Sequence, residues 1–317
     1  MSLFELRGEL DKRTKLILEI AGIALILLIW FVLAFFLSEE RISVLDDDEI
    51  VVEIVDDTYT ESDSMLVEHM DQLMIEESET LAAYGLKKER IYPILPSPVH
   101  VIKSFKELHF EDYLVVNTGK SIWLNFLGYL LAIAVSIPIG FALGLIPFFR
   151  GLFNRTFDAF RFIPLTAVTG IFIMWFGFDN QMKVAFLAFG IIVYLVPVVV
   201  QRIDEVQSVY LRTVFTLGAN SWQTIKTVYW PSVLSRLFDD IRVLTAISWT
   251  YITIAELLNK SGGIGELIWL ARRQSRMDKA FAVLVIIVLI GIFQDKLFFW
   301  LDKKLFPHKH MNKGKKH

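Results

Sequence analysis

The run TLGANSWQTIKTVYWPSV, residues 216–233, interrupts a chain whose neighbouring segments are apolar enough to lie in lipid. It is too polar to cross a membrane and too regularly patterned to be a slack connection, so its reading decides how the rest is arranged. Asn220 is a favoured N-cap type, and Gln223 at the third helical position completes a reciprocal capping-box pattern. From Ser221 onward, Trp222, Ile225 and Val228 or Tyr229 recur at helical spacing, which predicts an amphipathic helix of about ten residues. Gly218 and Ala219 before it permit a sharp corner and close backbone approach. Pro231 has no N–H to continue the ladder, so the helix should end or kink there. A helix this short is marginal alone and needs something to pack on. The residues leave two readings open: an interfacial helix lying on the bilayer, or an anchor laid into a groove of a cytoplasmic partner.

Outward from this turn, 54% of the 317 residues are hydrophobic, above the roughly 45–50% of an ordinary soluble domain. That excess has to be hidden in lipid. Six segments approach the about 20 apolar residues needed to cross: residues 16–37, 122–147, 162–178, 184–200, 243–258 and 280–300. The expected fold is therefore an all-α polytopic membrane protein. An even number of crossings places both termini on one side. Arg7, Lys12, Arg13 and Lys15 before the first span, and the lysines of the tail KKLFPHKHMNKGKKH (303–317), put that side in the cytoplasm. Arg150, Arg155 and Arg161 fall on the same side. Residues 259–279 fall outside despite Lys260, Arg272, Arg273, Arg276 and Lys279, in conflict with the charge rule. Either they form an amphipathic helix with a reason to be basic, or the span count is off by one.

The net charge of −3 hides an asymmetry: residues 38–112 carry 20 acidic and six basic side chains, so the remainder carries +11. Basic ends on one side of a membrane suit that surplus better than the single basic face of a nucleic-acid binder. Within the acidic stretch, DDDEIVVEIVDD (46–57) has a strand-like apolar centre, and residues 64–86 repeat Met and Leu at helical spacing between Ser64 and Gly85. The expected organisation is residues 1–37 as cytoplasmic N-terminus and first span, 38–94 as an acidic extracytoplasmic module, 95–307 as the transmembrane domain and 308–317 as a basic tail. Cysteine is absent, which excludes disulfides, thiol catalysis and iron–sulfur clusters. The six histidines show no HxxxH or HExxH spacing, so no metal site is expected. No carboxylate pair or Ser–His arrangement sits at fixed spacing in a span, which argues against an enzyme.

The turn resembles the EAA loop of permease subunits of ATP-binding-cassette importers. Gly218, Ala219, Ile225, Val228 and Pro231 match that pattern in register, while Arg212, Thr213 and Val214 stand in place of Glu-Ala-Ala and Trp230 in place of Leu. LPSPVHVIKSF (95–105), SIPIGFALGL (136–145), RFIPLTAV (161–168), MWFGF (174–178), ISWTYITIAELL (247–258), SGGIGELI (261–268) and GIFQDKLFFWLDKKLFP (291–307) look like the nitrate, sulfonate, taurine and bicarbonate branch of those permeases, in the same order. The likeness covers residues 95–307 and leaves out the acidic module.

The resemblance implies a permease of the bacterial inner membrane, working as a pair with a second permease copy, two copies of a cytoplasmic ATPase and an extracytoplasmic solute-binding protein. It implies no cofactor on this chain: ATP and Mg belong to the ATPase, and no GxxxxGK[ST] phosphate loop occurs here. Gly218, Ala219, Asn220, Ser221, Trp222, Ile225, Val228 and Pro231 would couple the ATPase to the pathway. The implied solute is a small oxyanion or sulfonate. The fifth span supplies pathway candidates, because polar side chains in lipid are costly unless turned to a cavity or a partner helix: Ser248, Trp249, Thr250, Tyr251, Thr253 and Glu256. Bonding of one helix to the next is the alternative for each. Phe172 and Trp175 on the third span are candidates for gate or packing. A reading from another class, a passive channel or membrane scaffold, predicts function without ATP.

Overall fold

The computed structural model of the chain describes residues 11–44, 86–307 and 309. It divides into two compact units, one up to Lys103 and one from Ser104. In the first, α1 (Lys12–Phe36) is followed by an antiparallel ribbon of β1 (Glu39–Val44) and β2 (Leu86–Ile91), with Glu39 opposite Ile91 and Val44 opposite Leu86. The ribbon makes the acidic insert leave and return at one point. Its two strands are mostly charged, without the apolar alternation that marks a strand in a sequence, and the sequence reading missed both. The strand expected near residues 46–57 and the helix expected from residue 64 lie outside the described residues. The chain then enters α2 (Pro98–Phe110), whose first turn is held by Ser97, its hydroxyl 2.7 Å from His100 Nδ1.

The second unit continues with α3 (Leu114–Leu145), α4 (Pro147–Phe160), α5 (Leu165–Phe176), α6 (Asn180–Asp204), α7 (Ser208–Thr216), α8 (Ser221–Thr224), α9 (Trp230–Asn259), α10 (Ile264–Arg273) and α11 (Met277–Leu305). Without a hydrophobic drive between helices in lipid, close approach relies on small residues. A Cβ on Gly128 would stand 2.8 Å from Leu187 Cδ2, one on Gly140 2.5 Å from Val199 Cβ, and one on Gly144 2.6 Å from Ile203 Cδ1. The constant offset between partners means that α3 and α6 run parallel, with side chains of α6 seated on the glycines of α3. The chain must therefore cross back between them. It does so through α4 and α5, which meet at a 105° bend. The expected third span, residues 162–178, is thus corrected: α5 has 12 residues and reaches about 18 Å, short of an about 30 Å hydrocarbon layer, so the bent pair crosses as one. Among the described residues five helices are long and apolar enough to cross alone, and counting the bent pair as one span brings the total to six.

α9 runs antiparallel to both α3 and α6. Ser121 meets Glu256 and Asn125 meets Ser248 along α3; Asp179 meets Asn259 and Arg202 meets Asp240 along α6. The core lies between these three helices, where Phe186, Ile191, Leu195, Val199, Leu237 and Ile252 are fully buried. α11 lines up against α9 through a two-bond fork from Arg242 to Asp295 (2.5 and 2.6 Å). Of the basic tail only Lys309 is described beyond Pro307, and its ammonium sits 3.0 Å from both Asp239 and Asp302.

Pro231 does not end a helix. The expected ten-residue helix is instead one α turn, α8, then a π turn over Ile225–Tyr229, then α9 without a sharp break, 39 residues from Ser221 to Asn259. The Trp230 N–H reaches back five residues to the Ile225 carbonyl. The widened turn shifts the carbonyls that a proline ring would otherwise strike in an α ladder, so the proline is absorbed.

Candidate functional site: a turn at one end and a polar knot at the other

The turn begins where α7 ends. Gly218 takes φ +78°, its N–H donates to the Phe215 carbonyl and the Ala219 N–H to the Val214 carbonyl, both at 3.0 Å. This is a Schellman closure, which favours glycine at the left-handed position. A Cβ on Gly218 would meet open space within 4 Å, so the residue serves the corner rather than a close approach. Asn220 Oδ1 accepts from the Gln223 N–H and Gln223 Oε1 from the Asn220 N–H, each at 2.8 Å, which completes the capping box. Thr224 and Val228 are buried, Ile225 is half-buried, and Ser221 and Trp222 are exposed. The turn is thus pinned from beneath and presents Phe215, Leu217 and Trp222, the last 71% exposed, on its outer side. Ion pairs bind α6 to α9: Arg202 forks onto Asp240 (2.6 and 2.7 Å) and donates to Glu205 at 2.6 Å. That bond holds the Glu205 carboxyl below the usual glutamate range. Arg150 forks onto Asp204 and ties α4 to the same corner.

The polar residues of α9 divide among several faces. Ser248, fully buried, donates to Asn125 and to the Thr245 carbonyl. Trp249 donates from Nε1 to Gln294 at 2.6 Å on α11, and Thr253 donates to the Trp249 carbonyl. Thr250 is exposed, and Tyr251 is half-buried beside Gly190. Phe172 is buried among Phe176, Phe186 and Phe189, whereas Trp175 is 71% exposed.

Glu256 is fully buried and joins a polar knot at the far end of the bundle from the turn. One carboxylate oxygen accepts from Ser121 at 2.6 Å and the other from the Gly265 N–H at 2.9 Å. The Ser121 oxygen accepts from the Ile264 N–H at 2.8 Å, and Asn117 Oδ1 accepts from the Gly263 N–H at 2.9 Å. Lys183, also fully buried, donates to the Gly262 carbonyl at 2.7 Å; Lys120 donates to the Ser261 carbonyl, and the Glu266 carboxylate accepts from the Gly262 N–H. Successive amides at the start of α10 are thereby satisfied inside the protein. Asn117, Lys120, Ser121 and Lys183 escaped the sequence reading; a lysine just inside an apolar run was the available signal.

The basic segment that conflicted with the charge rule is an amphipathic helix, α10, and the start of α11, where Arg276 and Lys279 are ion-paired. Arg276 pairs with Glu107 at 2.7 Å and Asp278 at 2.8 Å, and Lys279 with Asp112 at 3.0 Å. Lys260 and Arg273 lie over the Trp269 ring. The two ion pairs should differ in worth. Lys279→Met strands Asp112 in a largely buried site and should cost about 3 kcal/mol. Arg276→Gln breaks half-exposed pairs and should cost under about 1 kcal/mol. Thermal unfolding in detergent separates them, and equal shifts would overturn the assignment.

The family match falls within the second unit. Residues 136–307 match the family described as "binding-protein-dependent transport system inner membrane component". The chain is 30% identical to the putative aliphatic sulfonates transport permease protein SsuC of Bacillus subtilis, over 70% of this chain and 80% of that protein. It is 24% identical to the nitrate import permease protein NrtB of Synechococcus elongatus, over 67% and 81% respectively. The inward-facing MetNI methionine ABC transporter shares the fold, with a TM-score of 0.53 at 16% identity over 60% of this chain and 95% of that one. With more than half of its length inside the matched family, the chain belongs to the inner membrane components of binding-protein-dependent transport systems.

Proposed function

We propose that this permease carries a small oxyanion, a sulfonate or nitrate-like solute, and that residues 218–231 are where a separate ATPase drives it. The observation that carries the reading is the turn itself. Gly218 and the capping box fix its shape, Thr224 and Val228 anchor it, and Leu217 and Trp222 are left exposed. An exposed apolar cluster on a rigid short turn suits insertion into a partner groove. The ATPase binds as two copies and holds ATP and Mg; this chain pairs with a second copy of itself, and an extracytoplasmic binding protein delivers the solute. The Gly218 end and both termini face the cytoplasm, in keeping with the lysines at either terminus.

Mechanically, the route from turn to pathway runs along α9. Its first residues continue the turn, so closure of the ATPase pair would tilt α9 as a rigid rod against α6, with the Arg202–Asp240 fork as pivot. The test is uptake into proteoliposomes holding the permease with and without its ATPase, using labelled ethanesulfonate and nitrate. ATP-dependent accumulation is expected. Flux without ATP would establish a channel instead, and ATP-driven uptake of neutral solutes alone would overturn the oxyanion assignment.

A further inference from the structure

The elbow between α4 and α5 borders a half-open cavity of about 280 Å³ against α6 and α9, lined by residues that include Arg161, Thr166, Tyr194, Tyr251 and Ile254. Its depth is fixed by α6, which passes it from Phe189 to Tyr194, near the middle of a 25-residue helix. At 1.5 Å per residue that stretch begins about 13 Å from one end of the helix and stops about 15 Å short of the other, so Arg161, which the charge rule placed at the cytoplasmic side, instead borders a cavity at mid-helix depth. An arginine at such depth is expensive and is expected to face a cavity or a partner. Arg161 has one ion pair, from Nη2 to Asp158 at 2.7 Å. A guanidinium carries five donors, and among the described residues no other partner takes the rest. α5 begins at the same wall: its N-cap is Pro164, no side chain caps its first turn, and Leu165 and Thr166 are among the lining residues. The hydroxyl-bearing side chains of Tyr194 and Tyr251 also line it, and the remaining lining, with Phe160, Phe162 and Ile254, is apolar.

We propose that this elbow cavity is a transit site for the solute, binding a small oxyanion with a short apolar substituent, such as an alkanesulfonate. Arg161 meets the oxyanion head and the aromatic wall takes the tail. The site deepens the oxyanion reading given above and rests on it. The volume of about 280 Å³ is at the small end for ligand pockets, which suits a short tail. Asp158 holds Arg161 on one side, so the net positive charge offered to the anion is partial. A transit site needs that balance, since an anion held by an uncompensated arginine would not leave.

The experiment uses the assembled complex of permease, ATPase and binding protein, with labelled ethanesulfonate as the probe and uptake normalised to assembled complex. Arg161→Gln should lower uptake roughly tenfold or more, the loss of a charge-assisted bond. Arg161→Lys should recover part of it, and Tyr251→Phe, which keeps the ring, should lower it a few-fold. Asp158→Asn should slow release, seen as lower maximal uptake with a lower KM. If the wild-type complex accumulates no oxyanion in the presence of ATP, the functional reading itself fails. If the wild type accumulates ethanesulfonate and Arg161→Gln, Tyr251→Phe and Asp158→Asn all match it in KM and rate, the elbow site is refuted while the transporter stands. Should Arg161→Gln not assemble, Tyr251→Phe and Asp158→Asn decide.

Discussion

Gly218→Arg is expected to abolish both co-purification of the ATPase and solute uptake, while the chain still inserts into the membrane in normal amount. Two effects act together. The left-handed φ of +78° costs a residue with a Cβ about 1–2 kcal/mol, which alone depopulates the Schellman corner by about five- to thirtyfold. The added guanidinium then projects from a position with open space above it, into the face that carries Leu217 and Trp222. Nothing in the bundle touches that position, so stability of the second unit should change little. Gly218→Asn supplies the control, because asparagine tolerates the left-handed region and should retain association within a few-fold. Normal recovery of the ATPase in a pull-down with Gly218→Arg would remove the coupling role from this turn.

Gly263→Ala should be the most destabilising single-methyl change in the second unit. Its φ is +115°, and the new Cβ would stand 2.3 Å from the Glu256 carboxyl carbon. Glu256 cannot swing away cheaply, since its two oxygens hold Ser121 and the Gly265 amide. The expected cost is about 3 kcal/mol or more, in the range of changes that strain a special backbone position and break a buried network. Glu256→Ala alone strands a buried hydroxyl and a buried amide, each worth about 1–3 kcal/mol. The pair should be strongly non-additive: with the carboxylate gone, Gly263→Ala retains only its backbone cost of about 1–2 kcal/mol. Thermal unfolding of the four proteins in nanodiscs measures the coupling, and simple additivity would show that the knot does not hold α10 in place.

These two predictions mark where sequence and structure each had authority. The turn was legible because its signals are local. The capping box needs only Asn220 and Gln223 three residues apart, and the corner needs only Gly218 one residue past a helix. The outcome at Pro231 was not legible, because a proline in a helix can be answered by a break, a kink or a π turn, and the packing of Thr224 and Val228 selects among them. Glu256 shows the same limit more sharply. Its polarity in an apolar run marked it as a pathway candidate, yet its partners come from α3 and from the first turn of α10, 135 residues away for Ser121.

Composition, apolar run lengths and the order of short motifs determined, without coordinates, that this is a six-crossing membrane permease with a polar turn after its fourth span. These are properties of segments, and transfer into lipid is close to additive along the chain. Only the tertiary structure decided that α3 and α6 run parallel over glycines, that α4 and α5 share one crossing through an elbow, and that Arg276 and Lys279 of the basic segment are paired with carboxylates. Each of those rests on a meeting of residues far apart in sequence. In lipid, where hydrophobicity does not favour one helix neighbour over another, small-residue contact, hydrogen bonds and charge pairs choose the neighbours.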